Sequence, residues 1–140
     1  MRTRDLLLDT HIIIWMATAP SRIPAKLLAA IEEVDRRYVS HVTAFEIQLK
    51  NLKSPGAFPF SLRHLENAMK EFSCTELPIT SQDINSLGEI EFLHSDPFDR
   101  LLMAQARNRE LFLATLDKDI LRTFERHKAF RVFAEEPRER

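Results

Sequence analysis

Leu6-Leu7-Leu8-Asp9-Thr10-His11-Ile12-Ile13-Ile14-Trp15-Met16-Ala17 is the stretch on which the fold class turns. Three consecutive leucines cannot alternate between a core face and a solvent face. They suit a strand covered on both sides, as the strands of parallel sheets are. The polar step at Asp9-Thr10 and the amphipathic run from His11 to Ala17 then suit a helix fed directly by that strand.

The same alternation continues downstream. Pro24 is placed for a first helical turn, and Leu27, Leu28, Ile31 and Val34 recur at helical spacing as far as Arg36-Arg37. Tyr38-Val39-Ser40 is a candidate second strand, and Thr43 is expected to cap a helix carrying Glu46 in its first turn and ending before Pro55-Gly56. A loop with Phe58 and Phe60 leads to a helix from Ser61 to Phe72 and a short strand from Thr75 to Ile79, which Pro78 restricts to a sheet edge or strand end. A helix from about Ser81 to Phe92 is expected next. Asp96-Pro97 then provides a cap and a first-turn proline for a helix from Phe98 to Asn108. Leu111 to Thr115 reads as a strand, Lys118 to Arg126 as a helix and Phe130 to Phe133 as a last strand. Strands alternating with helices predict an α/β fold, a parallel sheet with helices on both faces.

At 140 residues, with 44% hydrophobic and 29% charged residues and no repeat or low-complexity segment, the chain reads as a single domain over residues 1–140. The one cysteine, Cys74, cannot form an intramolecular disulfide and there is no Cys pair for structural zinc, so a reducing cytoplasmic location is expected. No run of ~18 apolar residues exists, so no membrane partner is expected. Residues 1–70 hold 10 Lys and Arg against 7 Asp and Glu, and residues 71–140 hold 10 against 14. A broad basic surface of the kind that dominates nucleic-acid binding is absent from these totals. Any such substrate has to be held by metal ions and a local Lys/Arg rim.

Ligands of parallel sheets bind outside the carboxyl ends of the strands. Asp9 ends the first strand and Asp117 lies two residues past the strand ending at Thr115, so both reach one crevice if those strands are neighbours. Asp99 and Glu46 are expected near helix N-termini, whose dipoles favour the ionised form. Four converging carboxylates repel unless a cation sits among them, and oxygen-only ligation selects Mg²⁺ or Mn²⁺. Such ions activate water and stabilise the leaving oxygen of a phosphodiester. Taken singly, each acid has a plainer use: Asp9 and Asp117 as turn or cap residues, Glu46 as a surface partner of Lys50, Asp96 as a cap.

The sequence around these acids resembles the PIN-domain family and, within it, the VapC-type toxins of bacterial toxin–antitoxin pairs. Leu6-Leu7-Leu8-Asp9-Thr10-His11 looks like the opening strand and first acid. Val42-Thr43-Ala44-Phe45-Glu46-Ile47-Gln48-Leu49-Lys50 is similar to the helix with the second. His94-Ser95-Asp96-Pro97-Phe98-Asp99-Arg100-Leu101-Leu102-Met103-Ala104-Gln105-Ala106 resembles a block of one VapC-like subgroup with Asp99 as third acid, and Thr115-Leu116-Asp117 stands in the place of the fourth. Phe45 and Leu116 depart from the family pattern, which more often has Trp and a small residue there. The resemblance implies a PIN-like three-layer sandwich with a central parallel sheet of four to five strands flanked by helices. It also implies an Mg²⁺- or Mn²⁺-dependent ribonuclease, a hydrolase, whose catalytic and metal residues are Asp9, Glu46, Asp99 and Asp117. Its expected partners are an RNA substrate, a cognate antitoxin and a second copy in a homodimer.

Thr10 and Thr115 are placed to orient ligands through their hydroxyls, or to serve as ordinary turn residues. The five histidines, His11, His41, His64, His94 and His127, show no metal-ligand spacing and are read as structural. Trp15 and Phe45 are read as packing residues, and Phe58 and Phe60 as partner-binding surface. A phosphotransfer domain would want an acid pair at the first strand end, where this chain has Asp9-Thr10-His11, and a lysine after a later strand, for which only Lys118 stands. A PIN nuclease of RNA processing and a non-catalytic PIN-like binding module remain as alternatives, the second opposed by the presence of all four acids.

Overall fold

The computed structural model describes residues 5–90, 96–126 and 132–133. Strand β1 (Leu6–Leu8) is followed by α1 (Thr10–Thr18), α2 (Ala25–Glu33), β2 (Arg37–Ser40), α3 (His41–Lys53), α4 (Leu62–Glu71), β3 (Cys74–Leu77), α5 (Ser81–Asn85), α6 (Pro97–Asn108), β4 (Phe112–Ala114), α7 (Lys118–Arg126) and β5 (Val132–Phe133). The strand order is β3-β2-β1-β4-β5 and every pairing is parallel, as the alternating sequence predicts. Among the described residues no helix is long and apolar enough to cross a membrane.

Leu6, Leu7 and Leu8 lie opposite Phe112, Leu113 and Ala114 in the centre of the sheet, and none is more than 2% exposed. Their alternation divides the core. Leu6 and Leu8 pack with Ile12 and Ile13 of α1, Leu27 and Ile31 of α2 and Leu65 of α4, whereas Leu7 packs with Leu102 and Met103 of α6 and Ile120. The result is three layers, helices on each side of one sheet. Each buried leucine contributes roughly 2 kcal/mol, and Leu7→Asp would bury an unpaired charge between two layers.

Arg37 ties the start of β2 to the ends of two helices. Its Nε donates to the Phe72 carbonyl at 2.9 Å and its Nη1 to the carbonyls of Ile31 and Val34 at 2.9 and 3.2 Å. Carbonyls left over at the ends of α2 and α4 thereby find a cation, which also suits the negative end of each helix dipole.

Several boundaries differ from expectation. Ser40, not Thr43, caps α3: its Oγ accepts from the Val42 amide at 2.9 Å, and Thr43 sits fully buried inside the helix. Glu46 is therefore in the second turn of α3 rather than the first. The helix expected from Ser81 to Phe92 stops at Asn85 and tightens into a 3-10 turn over Ser86–Glu89, which steers Ile90 into the core at 1% exposure. Phe60, read as loop surface, is a core residue at 3% exposure. The second half of the last expected strand is present as β5; its beginning, like Glu91 to Ser95 and His127, lies outside the described residues.

One buried polar chain crosses the α6 side. Ser40 Oγ donates to Gln105 Oε1 at 2.5 Å, and Gln105 Nε2 donates to the Pro78 carbonyl and to Asp83 Oδ2. Asp83, fully buried, takes both Arg109 Nη1 at 2.8 Å and Nη2 at 3.0 Å. A bidentate guanidinium is the geometry that best satisfies a carboxylate out of water.

Candidate active site

Because β1 and β4 are parallel neighbours, both deliver their next residues to the same edge of the sheet. The Asp9 amide extends the ladder by donating to the Ala114 carbonyl at 3.0 Å. Asp9 then caps α1, its Oδ1 accepting from the Thr10 amide at 2.7 Å, while its Oδ2 accepts from the Thr115 hydroxyl at 2.7 Å. The same hydroxyl accepts from the Asp117 amide at 3.0 Å, so one oxygen fixes two acids. Asp117 Oδ1 in turn accepts from the Ile120 amide at 2.9 Å and caps α7. The plainer capping roles of Asp9 and Asp117 are thus real, and they hold the carboxylates in place.

Glu46 is brought in by a threonine pair. Thr10 Oγ1 donates to Glu46 Oε1 at 2.9 Å, and since a hydroxyl has one proton, Thr43 Oγ1, also 2.9 Å away, is the donor to Thr10. Lys50, one turn along, approaches Glu46 Oε2 at 3.6 Å, yet Glu46 is 7% exposed, so this is no surface pair. Asp99 lies in the first turn of α6, three residues after the cap Asp96, whose Oδ1 accepts from the Phe98 amide at 2.9 Å. The ring of Phe98 meets Phe45 edge-on at 5.6 Å, linking α6 to α3.

The electrostatics join the acids into one cluster. Burial first, then the charges of Asp9, Asp96, Asp117 and Glu46, push the Asp99 carboxyl up from 3.8 to about 8. Burial also raises Asp9, helped by Asp117 and opposed by the Thr115 hydroxyl, His11 and the Thr10 amide. Two neighbouring buried acids, Asp9 and Asp99, that resist ionisation in this way call for a cation. The donor set, carboxylates without cysteine, fits a hard oxygen-seeking ion. As folded, Asp9, Glu46 and Asp117 are each turned toward a hydrogen-bond partner, and among the described residues no three His, Cys, Asp or Glu side chains are grouped to hold a metal ion.

All four acids read from the sequence therefore share one edge of the sheet, and Thr10 and Thr115 bond directly to two of them. Thr43, expected as a cap, turned out to belong to the site; its spacing of three residues before Glu46, one turn along the same helix face, is the signal that points there. Arg100 donates to the Leu87 carbonyl at 2.8 Å. His41 pairs with Glu76 and His64 caps α4 through Ser61, in line with structural roles.

The PIN-domain family model matches residues 6–126. The chain belongs to the PIN-domain family. Solved structures with this PIN fold include DNA-bound VapBC from Salmonella typhimurium, at 22% identity and a TM-score of 0.65 over 93% of this chain and 97% of that one. VapBC2 from Rickettsia felis bound to a promoter DNA fragment superposes with a TM-score of 0.64 at 14% identity, over 92% and 97%. A toxin–antitoxin complex from Klebsiella pneumoniae reaches 0.59 at 18% identity, over 96% and 99%. Identities this low establish the fold and leave the chemistry to the site. No curated protein sequence matches the chain.

Proposed function

We propose that this PIN domain is a metal-dependent endoribonuclease, the toxin of a toxin–antitoxin pair, with Asp9, Glu46, Asp99 and Asp117 holding Mg²⁺ or Mn²⁺. The observation that carries the reading is Asp99, whose carboxyl is pushed up to about 8 by burial and by the charges of four other carboxylates. That much like charge in one crevice is costly to a fold and useful to a cation site. When bound, the ion supplies water activation and charge neutralisation at a phosphodiester. The protein's share is positioning: Thr115 orients Asp9 and Asp117, Thr10 and Thr43 orient Glu46, and the first turn of α6 presents Asp99. The PIN-domain match supports a nuclease. The toxin–antitoxin complexes among the structural neighbours support a cognate antitoxin as partner; we further propose a homodimer in the cytoplasm.

The test is cleavage of a labelled RNA by purified protein with Mg²⁺ or Mn²⁺, with EDTA, and after Asp9→Asn or Asp99→Asn. Cleavage is expected to fall at least about a hundred-fold in each of the last three cases; activity that survives EDTA or both substitutions overturns the reading. The toxin role is tested by inducing the gene with and without its genomic neighbour, where growth arrest relieved by the neighbour is expected and unaffected growth in both cases refutes it.

A further inference from the structure

Beside the acid cluster, α3 and the loop after it form an open hollow of about 430 Å³ lined by Lys50, Lys53, Ser54, Ala57 and Phe58. Lys50 is the link between the two places. Its Nζ lies 3.6 Å from Glu46 Oε2 and 5.2 Å from the centre of the Phe58 ring. Phe58 is itself seated against the core and so is a fixed platform. One cation over an aromatic face, itself 3.6 Å from a carboxylate of the candidate phosphodiester-cleaving centre, and a second cation lining the same hollow match the two halves of a nucleotide: phosphate for the ammonium groups, base for the ring.

We infer that this hollow is a subsite for an unpaired nucleotide of the RNA strand, neighbouring the scissile phosphate, with Phe58 stacking the base and Lys53 and Lys50 holding the phosphate. The inference rests on the ribonuclease reading. The ammonium of Lys50 now occupies the ring face; an incoming base takes that place and the ammonium turns to the phosphate beside it. Duplex RNA keeps its bases stacked inside and cannot use the ring, so the subsite selects single strands. The net charge of the chain is −1, so two lysines gathered at this point are a local source of attraction that the totals lack.

The experiment measures binding of a fluorescein-labelled single-stranded RNA octamer and of the same sequence as a duplex, by anisotropy in EDTA, alongside Mn²⁺-dependent cleavage. Phe58→Leu is expected to weaken single-strand binding about ten-fold, leave duplex binding unchanged and raise KM more than it lowers kcat. Lys53→Ala, on an exposed residue where folding is not at stake, should reduce the salt dependence of single-strand binding by about one phosphate contact. A wild type that binds and cleaves RNA while both variants match it overturns the subsite alone, and is the result expected if an acidic peptide of a protein partner occupies the hollow instead. A wild type that neither binds nor cleaves overturns the subsite together with the ribonuclease reading.

Discussion

Replacing Asp99 by asparagine should make the metal-free protein more stable in alkaline solution and erase most of its dependence on pH. In the folded state the carboxyl keeps its proton up to about pH 8, whereas an ordinary aspartate releases it at 3.8. The folded state therefore binds more protons than the unfolded chain between those values, and stability falls as pH rises from about 4 to about 8. The two midpoints are about four pH units apart; at ~1.36 kcal/mol each that sets an upper bound on the order of 5 kcal/mol, which solvent screening at this incompletely enclosed carboxyl cuts to a few kcal/mol, still a large share of the stability of many domains. Asparagine has the shape of the protonated acid and carries no charge, so it escapes that loss. Urea unfolding in EDTA at pH 5, 7 and 9 measures both proteins. A gap between variant and wild type that is small near pH 5 and widens by several kcal/mol at pH 9 is expected, and saturating Mn²⁺ should recover stability at pH 9 in the wild type far more than in the variant. Parallel pH profiles for the two proteins would refute the claim that Asp99 is buried among repelling charges.

Arg109→Ala should destabilise by about 3 kcal/mol at pH 7, because Asp83 is left buried without its guanidinium. Burial acts to raise Asp83, but hydrogen bonds from Arg109, the Thr80 amide, Asn108 and Gln105 outweigh it and hold the carboxyl well below the usual range; the contribution is complete above pH 3.8 and declines as pH falls from there, so thermal melts of the two proteins should converge in acid. Thr115→Val removes the hydroxyl that serves both Asp9 and Asp117, and is expected to weaken Mn²⁺ binding by calorimetry ten-fold or more while leaving the circular dichroism spectrum unchanged. Glu110 ends α6 at φ 55°, with its amide bonded to Arg107 and that of Leu111 to Ala106, the arrangement that favours glycine. Glu110→Gly should raise stability by up to about 1 kcal/mol in urea titrations.

What was legible in the chain was whatever short-range chemistry governs. Leu6 to Leu8 announced a doubly covered strand, Asp96-Pro97 announced the start of α6, and the strand-end placement of Asp9 and Asp117 anticipated their common edge. Thr43 was misread because Ser40, taken as the end of a strand, is both the last residue of β2 and the cap of α3. The polar chain from Ser40 through Gln105 to Asp83 was invisible for a different reason: its members are 65 and 22 positions apart, and no local pattern pairs a serine with a distant amide. The burial of Phe60 was hidden likewise, since prolines and a glycine around it signalled an exposed loop while the core claimed its ring.

The hydroxyl of Thr115 meets the carboxylate of Asp9 across 106 positions of chain, and this orders events in time. As the protein is synthesised, β1, α3 and α6 with Asp9, Glu46 and Asp99 all precede β4, the strand that pairs beside β1 and brings Thr115 and Asp117 to the edge. A contact between segments so far apart carries a large loop-closure cost and forms late. An unfinished chain thus holds three of its acids without the strand that brings the fourth beside them, and if the proposed acids do the cutting, that competence arrives only when β4 closes the sheet.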